Sequence, residues 1–409
     1  MSDYDVVVIG AGSAGLAAAK ALKAGGKSVM VLEAMGRIGG RAWTTSDWFG
    51  LPFDVGCAWL HAADRNPYFP EAEEAGWTLH HHEMSLDHLY HGALKATPEQ
   101  LAEMGRAEAE LAAALDAYDG SGDDRLSSLL TEAHAHRAAS TFAGPMDFAQ
   151  DDDEISIADF RAAADLDPNY FTKEGFGALV ARFGIGVPVT LEAPVRCIRW
   201  GGAGVTVEGD FGTIRAQHCI VTASPAVLAF EEIAFDPPLP ERHLEAAHDL
   251  PMGLLTKIPL MVEGERLGLK PFDDLLIERH ARHDIFFLAF PFDLDLMVGF
   301  VGGDFAWEME AAGEAAAVDF ATDRLAAIFG SDLRRAVTRG HMTRWSGERW
   351  VRGAYAAARP GRAGARGVLA EPLAEKIFFA GEHLAGPLMQ TCGGARLSGE
   401  AVAAALLGA

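Results

Sequence analysis

The sequence predicts an α/β fold in which a doubly wound parallel sheet is interrupted by a second domain of mixed sheet and helices. The chain opens with a valine-rich run at residues 4–9, then glycines, a helix-favouring segment and another strand-like run at 28–32. Together these form one βαβ unit. The end mirrors the start, with a strand at 377–380, a glycine turn and a small-residue helix over 393–407. A chain of 409 residues is also longer than one hydrophobic core usually organises.

The middle of the chain differs in character from both ends. Ala, Glu and Leu recur at helical spacing over residues 97–135, broken at 119–124, and a long helix is expected over 312–329. Strand-like runs return at residues 195–200, 205–208, 219–222, 254–262 and 285–290. We therefore expect the two ends to form one nucleotide-binding domain into which a substrate-binding domain is inserted. The expected boundaries are 1–75, 190–245 and 340–409 for the nucleotide-binding domain, and 76–189 and 246–339 for the substrate-binding domain.

The charge balance excludes some classes of partner. Lysine and arginine number 34 against 58 acidic residues, a net charge of −24, and such a surface repels phosphate backbones and anionic lipid headgroups. No apolar run approaches the length of a membrane span. We therefore expect no nucleic-acid partner and no membrane partner. The acidic surface is first of all a solubility feature, and it could also concentrate cationic substrates.

Cysteine and histidine usage indicates neither a disulfide framework nor a metal site. The cysteines are far apart without a CxxC pair, so we interpret them as buried thiols in a reducing compartment; they are Cys57, Cys197, Cys219 and Cys392. The N-terminus enters a strand with no room for a cleavable leader, which predicts a cytoplasmic location. His80, His81 and His82 are adjacent and cannot converge on one ion, so we interpret them as a solvated loop and expect no metal.

Glycines at the end of the first strand predict a Rossmann-type dinucleotide site. Gly10-x-Gly12-x-x-Gly15 provides a tight turn, a close approach of backbone to pyrophosphate, and close packing of helix on sheet. The helix that starts there offers unpaired N–H groups and a partial positive charge to the phosphates. Glu33 ends the second strand, 18 residues after Gly15, where a carboxylate accepts hydrogen bonds from ribose hydroxyls.

A second glycine-rich segment, residues 36–41 with the sequence GRIGGR, distinguishes an FAD-binding site from an NAD-binding site. Arg37 and Arg41 flank the pair Gly39 and Gly40 immediately beyond the acid. Guanidinium groups can therefore reach the same pyrophosphate while bare backbone passes close by. A long flavin dinucleotide needs such a second contact, so the predicted cofactor is FAD.

Residues 33–44, EAMGRIGGRAWT, resemble the flavin-containing amine oxidases, which comprise monoamine oxidases, polyamine oxidases and a histone-demethylase branch. The resemblance continues, in family order, at 53–61 (FDVGCAWLH), 175–180 (GFGALV), 221–228, 235–240 (FDPPLP), 378–383 (FFAGEH) and the final helix. The middle, roughly residues 85–170, matches only in helical character. The resemblance implies a Rossmann-type FAD-binding domain with an inserted mixed-sheet and helical substrate domain.

The resemblance also implies a role for each matching residue. Glu33 and the first glycine motif would hold the ADP half, segment 36–41 the pyrophosphate, Val195 the adenine and Glu382 the ribityl chain. The last helix would direct its N-terminal dipole at the pyrimidine end of the flavin. The expected cofactor contacts are Gly10, Gly12, Ser13, Ala14, Gly15, Glu33, Arg37, Gly39, Gly40, Arg41, Gly56, Ala58, Trp59, Val195, Gly381, Glu382, Thr391 and Cys392.

Three residues are expected on the reacting face. Segment 250–260, LPMGLLTKIPL, resembles the family segment whose lysine holds a water near flavin N5, which assigns this role to Lys257. The apolar surroundings of Lys257 predict a lowered pKa. Trp345 and Tyr355 match the family's tryptophan beside the flavin and the first tyrosine of its aromatic cage.

Two departures from the family pattern concern the cofactor link and the substrate pocket. Ala354 stands where monoamine oxidases carry the cysteine that bonds to FAD, so we expect non-covalent FAD. Thr391 stands at the second cage position in place of tyrosine, which predicts a wider substrate pocket. His61, where some polyamine oxidases also have histidine, is expected to line that pocket.

The activity that the resemblance implies is oxidation of an amine C–N bond. A small-molecule amine, bound with its nitrogen deprotonated, would give up hydride equivalents from the α-carbon. The imine would hydrolyse to an aldehyde or ketone, and dioxygen would reoxidise the flavin to give hydrogen peroxide. Three alternatives stay open: an amino-acid oxidase with Arg65 or Arg396 against the substrate carboxylate, a desaturase or porphyrinogen-type oxidase, and a flavin-bound scaffold without turnover. The identity of the amine and the oligomeric state also stay open.

Overall fold

The computed structural model describes residues 2–85, 87–122, 124–130, 136–278 and 283–408. The strands are β1 Tyr4–Ile9, β2 Val29–Leu32, β3 Thr44–Thr45, β4 Phe53–Asp54, β5 Trp59–Leu60, β6 Leu79–His82, β7 His88–His91, β8 Leu94–Lys95, β9 Asn169–Thr172, β10 Val189–Thr190, β11 Val195–Arg199, β12 Val205–Gly209, β13 Gly212–Val221, β14 Ala234–Asp236, β15 Leu255–Val262, β16 Asp274–Glu278, β17 Ile285–Ala289, β18 Leu296–Gly302, β19 Val337–Gly340 and β20 Ile377–Phe379. The helices are α1 Ser13–Ala24, α2 Phe69–Glu74, α3 Pro98–Ala117, α4 His136–Thr141, α5 Ile157–Ala162, α6 Phe176–Phe183, α7 Pro225–Ala229, α8 Glu241–His248, α9 Asp304–Ala312, α10 Glu314–Phe329, α11 Leu333–Ala336, α12 Ala365–Ala370 and α13 Cys392–Gly408. A π-helical turn, Phe142–Met146, follows α4.

The first sheet joins the two ends of the chain. Its order is β10-β2-β1-β13-β12-β11-β14, and β20 pairs with β13 beyond the end of β12. Strands pair in parallel where β1 meets β2 and β13, and where β13 meets β20. Helices and loops cover both faces of such a sheet, so the valines of β1 are buried. On one face, a Cβ added to Gly399 of α13 would lie 2.0 Å from the Ala14 carbonyl oxygen of α1. This close packing sets the first and last helices side by side.

The second sheet carries most of the aromatic core. Its order is β19-β15-β18-β17-β16-β7-β8, antiparallel except where β16 meets β7. All of its strands come from residues 88–340, whereas the first sheet draws on residues 4–32, 189–236 and 377–379. In β15, Lys257 is paired with Phe300 of β18. The α/β fold class is confirmed, and the exact domain boundaries stay a prediction.

The structure corrects one expectation about local structure and bears out another. Residues 80–82 are not a loop, because they lie in β6 and pair with β9. Strand alternation leaves His81 more open and buries His82, whose Nε2 is 3.1 Å from Asp274 Oδ1. The helix expected over 312–329 is present as α10, and Gly313, with a φ of +94°, separates it from α9. The end of the other predicted helical region, residues 131–135, lies outside the described residues.

Candidate active site

A cavity of about 680 Å³ runs between the two sheets, within the range of small-molecule and cofactor sites. Its lining combines Gly12 and Glu33 from the first sheet region with Lys257 from the second sheet. Within the described ranges, no cluster of His, Cys, Asp or Glu could hold a metal ion. No helix among the described residues combines the length and the apolar character needed to cross a bilayer.

The first glycine motif and Glu33 form one end of the cavity. Gly10 has a φ of +98°, and a Cβ on Gly15 would lie 2.0 Å from the Gly10 carbonyl oxygen. Helix α1 therefore begins directly against the end of β1. The Glu33 carboxylate accepts hydrogen bonds from the N–H groups of Ala11 at 2.6 Å and Met35 at 2.8 Å. Burial raises the pKa of Glu33, and its oxygens keep acceptor capacity suited to a ribose hydroxyl.

The second glycine segment lies against the first through a bridge between Gly12 and Gly39. Arg37 sits behind this contact. Its Nη1 donates to the Gly40 carbonyl at 2.7 Å, and its guanidinium lies 4.5 Å from the centre of the Trp43 ring. Arg37 and Gly15 are the two predicted cofactor residues that do not line the cavity. Arg37 Nη2 is buried without a hydrogen-bond partner among the described residues, so its pyrophosphate contact stays a prediction.

Arg41 and Glu382 form a pair across the cavity. Arg41 Nη1 donates to Glu382 Oε1 at 2.9 Å and to the Ala354 carbonyl at 2.7 Å. Glu382 Oε1 also accepts from the Ala356 N–H at 3.2 Å. Glu382 is 6% exposed in its side chain, and its second oxygen, Oε2, is buried without a partner among the described residues. A buried acceptor of this kind calls for a donor.

The residues present fit FAD. The orphan Oε2 of Glu382 suits a ribityl hydroxyl, the two glycine segments leave room for pyrophosphate, and Arg41 supplies positive charge beside them. A side chain at Gly56 is impossible, since its Cβ would lie 1.6 Å from the Arg41 carbonyl oxygen. Val195, predicted to meet adenine, is 3% exposed and lines the cavity.

Lys257 is anchored to the loop that follows β4. Its Nζ donates to the carbonyl oxygens of Asp54 at 2.7 Å and Gly56 at 2.5 Å. Burial lowers the pKa of Lys257 to about 8, although the Asp54 carboxylate opposes this shift. The predicted lowering is therefore present, and the ammonium keeps one further N–H to offer to the cavity.

Trp345 and Tyr355 are fixed by hydrogen bonds at their polar ends. Trp345 Nε1 donates to the Val55 carbonyl at 3.2 Å, and the Tyr355 hydroxyl donates to the Met146 carbonyl at 2.8 Å. Both residues line the cavity. Burial, followed by the nearby carboxylate of Asp147, raises the pKa of Tyr355. Both rings are held by hydrogen bonds to the backbone, so they present fixed aromatic surfaces to whatever binds.

Thr391 lines the cavity but also caps the last helix. Its Oγ1 donates to the Leu388 carbonyl at 2.8 Å and accepts from the Gly394 N–H at 2.9 Å. The next residue, Cys392, starts α13, and its carbonyl accepts from Ser13 Oγ at 2.9 Å. The starts of α1 and α13 therefore meet at this wall. Two positive helix ends converge there, which suits an anionic group.

The sequence-predicted residues are brought together with few exceptions. Those that line the cavity are Gly10, Gly12, Ser13, Ala14, Glu33, Gly39, Gly40, Arg41, Gly56, Ala58, Trp59, His61, Val195, Lys257, Trp345, Tyr355, Gly381, Glu382, Thr391 and Cys392. Sequence reasoning missed Asp147, Asp167 and Asn169, which line the same cavity. They fall in or next to the region that matches the family only in helical character, so no motif marked them.

Comparisons with known proteins agree with this geometry. The chain is 25% identical to human lysine-specific histone demethylase 2 over 96% of its own length and 52% of that protein. It thus spans about half of that relative. It is 27% identical to putrescine oxidase from Kocuria rosea, over 87% of this chain and 84% of that one. A solved structure of putrescine oxidase with putrescine bound superposes with a TM-score of 0.84, 22% identity and 99% coverage of both chains.

The family described as flavin containing amine oxidoreductase matches residues 13–407. That match takes in the first glycine segment from Ser13, the Arg41–Glu382 pair, the anchored Lys257 and the final helix. The cavity built by these elements has the acceptors, donors and glycine contacts that the flavin dinucleotide requires. This protein therefore belongs to the flavin-containing amine oxidoreductase family, and its cofactor is FAD.

Proposed function

We propose that this protein oxidises the C–N bond of a small cationic amine and passes the electrons to dioxygen, with release of hydrogen peroxide. The observation that carries the proposal is Asp147. This side chain is exposed and lies on the cavity lining. Its carboxylate has no hydrogen-bond partner among the described residues. An unpaired carboxylate on the cavity lining favours a cationic ligand.

Other charges around the cavity support the same choice. Asp165 and Asp167 also line it and are exposed, so negative charge extends to the outer part of the lining. The cationic side chains on the lining are already engaged, since Arg41 pairs with Glu382 and Lys257 binds two carbonyl oxygens. An amine entering the cavity therefore meets the unpaired carboxylate of Asp147 and two further acidic side chains, whereas Arg41 and Lys257 are already engaged.

The residues of the chain divide the work between binding and positioning. FAD, when bound, accepts two electrons and the α-hydrogen from the amine and returns the electrons to dioxygen. Asp147 would attract the cationic group, while Tyr355 and Trp345 would confine the reacting carbon between fixed aromatic rings. Lys257 would place a positive charge where dioxygen is reduced. The four cysteines are free thiols, which suits a reducing compartment, and we include a cytoplasmic location in the proposal.

The amino-acid oxidase alternative lacks its arginine. Arg65 and Arg396, the two candidates for holding a substrate carboxylate, are not on the cavity lining. Arg65 donates to the Asp165 carbonyl at 2.5 Å, and Arg396 is paired with Glu71 and Glu400. An anionic substrate would also meet Asp147 without compensation. No feature of the described residues specifically favours the desaturase alternative or the scaffold alternative.

A peroxide-coupled screen of amines tests the proposed function. We expect diamines and longer amines to be oxidised faster than benzylamine, because a second ammonium can pair with Asp147 and because Thr391 replaces the second cage tyrosine. Asp147→Asn should raise KM for the best diamine about tenfold, the effect of losing a charged hydrogen bond. The protein atoms around Asp147 raise the pKa of its carboxyl, so KM should also rise when falling pH protonates this group. A wild-type enzyme that releases no peroxide with any amine would refute the proposal.

A second prediction concerns the cofactor link. The purified protein should be yellow, and heat or acid denaturation should release intact FAD, because Ala354 offers no nucleophile to the flavin. Filtration of the denatured protein followed by absorbance of the filtrate measures the released fraction. Flavin retained with the precipitated chain would contradict the expected non-covalent attachment.

A further inference from the structure

Residues 175–177 do not line the cavity, yet they fix a residue that contacts Lys257. Helix α6 begins at Phe176, directly against the hairpin of β3 and β4. A Cβ on Gly175, which has a φ of +94°, would lie 2.4 Å from Thr44 Cγ2, and a Cβ on Gly177 would lie 2.4 Å from the Thr44 nitrogen. The helix can therefore approach the hairpin this closely only with glycine at both positions.

The Asp54 side chain caps this helix from the facing strand. Its Oδ2 accepts from the Phe176 N–H at 2.9 Å, and its Oδ1 accepts from the Gly177 N–H at 3.1 Å. Thr44, the partner of Asp54 across the hairpin, donates its hydroxyl to Oδ1 at 2.5 Å and accepts from the Ala178 N–H at 2.9 Å. All of these contacts to the carboxylate are donors, and the positive end of α6 faces it, so its ionised form is favoured.

The backbone of the same residue binds the Lys257 ammonium. Lys257 Nζ donates to the Asp54 carbonyl oxygen at 2.7 Å. The rings of Phe53 and Phe300 lie on either strand beside it, with centroids 5.7 Å and 5.8 Å from Nζ. Among the described residues, the titratable groups that act on the charge of Lys257 are Asp54 and Cys57. Asp54 is therefore the carboxylate that compensates a buried ammonium in apolar surroundings.

The two buried charges support each other. Burial lowers the pKa of Lys257 to about 8, and Asp54 and Cys57 oppose this shift. Burial also raises the pKa of Asp54, and Lys257, the Thr44 hydroxyl and two N–H groups of α6 oppose that shift. The hydrogen bond of Cys57 with Cys392, together with burial, raises the pKa of Cys57 and keeps it a neutral thiol. Without the Asp54 carboxylate, Lys257 would therefore lose its proton at lower pH.

We propose that Asp54 is a positioning residue for the oxygen step: its carboxylate, held by the N-terminus of α6, keeps the Lys257 ammonium charged and fixed on the cavity wall. This inference rests on the proposed function, in which Lys257 places positive charge where dioxygen is reduced. It also gives residues 175–177 a role at a distance from the cofactor. Loss of the carboxylate should slow reoxidation of the flavin through the charge of Lys257, and it should leave reduction by the amine nearly unchanged.

The experiment measures the rate of flavin reoxidation against pH in the wild type and in Asp54→Asn, which removes the charge and keeps the shape of the side chain. The wild-type rate should fall as pH rises through about 8, and in Asp54→Asn the midpoint should lie about one pH unit lower or more. At about pH 8 this shift makes reoxidation about fivefold slower in the variant. At about pH 6 both proteins keep the ammonium, so their rates should converge.

Control variants separate the charge of Asp54 from its structural contacts. Thr44→Val removes a hydrogen bond to the same carboxylate and a cap from α6, so it should lower Tm and leave the midpoint in place. Asp47→Asn removes an exposed negative charge from the same hairpin and should change neither. Asp54→Ser is a second neutral variant, whose hydroxyl can accept from a helix N–H, and it should share the lowered midpoint. Flavin content and circular dichroism show whether each variant is folded.

The charge of Lys257 can also be measured without turnover. In ¹³Cε-lysine spectra, the signal that disappears in Lys257→Met should titrate at about pH 8 in the wild type and at lower pH in Asp54→Asn. A wild-type Lys257 that is already neutral at about pH 6, or equal midpoints in the wild type and Asp54→Asn, would overturn the inference while amine oxidation stands. Absence of oxidation of any amine would overturn the proposed function, and the lysine titration would still test Asp54.

Discussion

Replacing Lys257 with methionine is expected to slow reoxidation of the flavin by dioxygen about 100-fold, the size of effect found when one preorganised stabilising group is removed. The ammonium lies in a buried site, where its charge favours the negative charge that develops as oxygen accepts the first electron. Reduction of the flavin by the amine should change far less. FAD binding should persist, because Lys257 donates to two backbone carbonyls, and not to the pyrophosphate-binding segments.

Stopped-flow absorbance separates the two half-reactions. Anaerobic bleaching by the amine times reduction, and mixing with oxygenated buffer times the recovery. Lys270→Met is the matched control, because Lys270 is exposed and not part of the cavity lining. Equal slowing of both half-reactions in Lys257→Met would indicate general damage, and unchanged reoxidation would remove Lys257 from the oxygen step.

The pKa of Lys257 gives this prediction a pH signature. Burial lowers that pKa to about 8, while Asp54 and Cys57 oppose the shift. Below about pH 8 the amino group is charged, and above it the group is neutral. Reoxidation in the wild type should therefore slow as pH rises through about 8, and the same rate in Lys257→Met should lack this step.

The second large effect is expected for Arg41→Ala, which should weaken FAD binding about 10- to 150-fold, or about 1.5–3 kcal/mol. The guanidinium supplies charge beside the glycine segments and also holds Glu382 Oε1 at 2.9 Å. Without it, Glu382 would keep only the Ala356 N–H on that oxygen and would turn away from its expected partner on the cofactor. The variant thus loses one contact directly and misplaces another.

Flavin content and a titration of apoprotein with FAD measure this effect. Arg196→Ala is the control, because it removes an exposed arginine that pairs with Asp210 on the same domain. Such surface pairs contribute little, so FAD affinity should not change. Full flavin occupancy and wild-type affinity in Arg41→Ala, with an intact circular dichroism spectrum, would refute the assigned role.

The parts of the site that could be predicted from the sequence are those that short, contiguous sequence motifs describe. The nucleotide-binding half of the site was predictable because its residues form short motifs: Gly10 to Gly15, Glu33 and segment 36–41. The spacing of the glycines in these motifs indicates where backbone must approach the cofactor or another segment closely. Lys257 and Tyr355 followed from segments that resemble the family.

The missed residues depend on contacts between distant segments. Asp147 follows a π-helical turn in the part of the chain that carries no motif, and Tyr355 donates a hydrogen bond to the carbonyl of the neighbouring Met146. A solvated loop is predicted for His80 to His82 because adjacent side chains cannot converge on one metal ion, and their strand is not visible from these three residues alone. The pairing with β9, which makes them a strand, comes from residues 169–172.

The meeting of α1 with α13 has a consequence for the order in which the protein is made. One wall of the FAD cavity, with Ser13 and Glu33, leaves the ribosome early, whereas Glu382 and the start of α13 are synthesised long afterwards. Domains generally fold as units during synthesis, but the first sheet is complete only after its last strand, β20, has been synthesised. The nascent first βαβ unit therefore exposes an incomplete nucleotide cleft for most of translation. Capture of FAD becomes a late event that closes the two chain ends together and stabilises the finished fold by mass action.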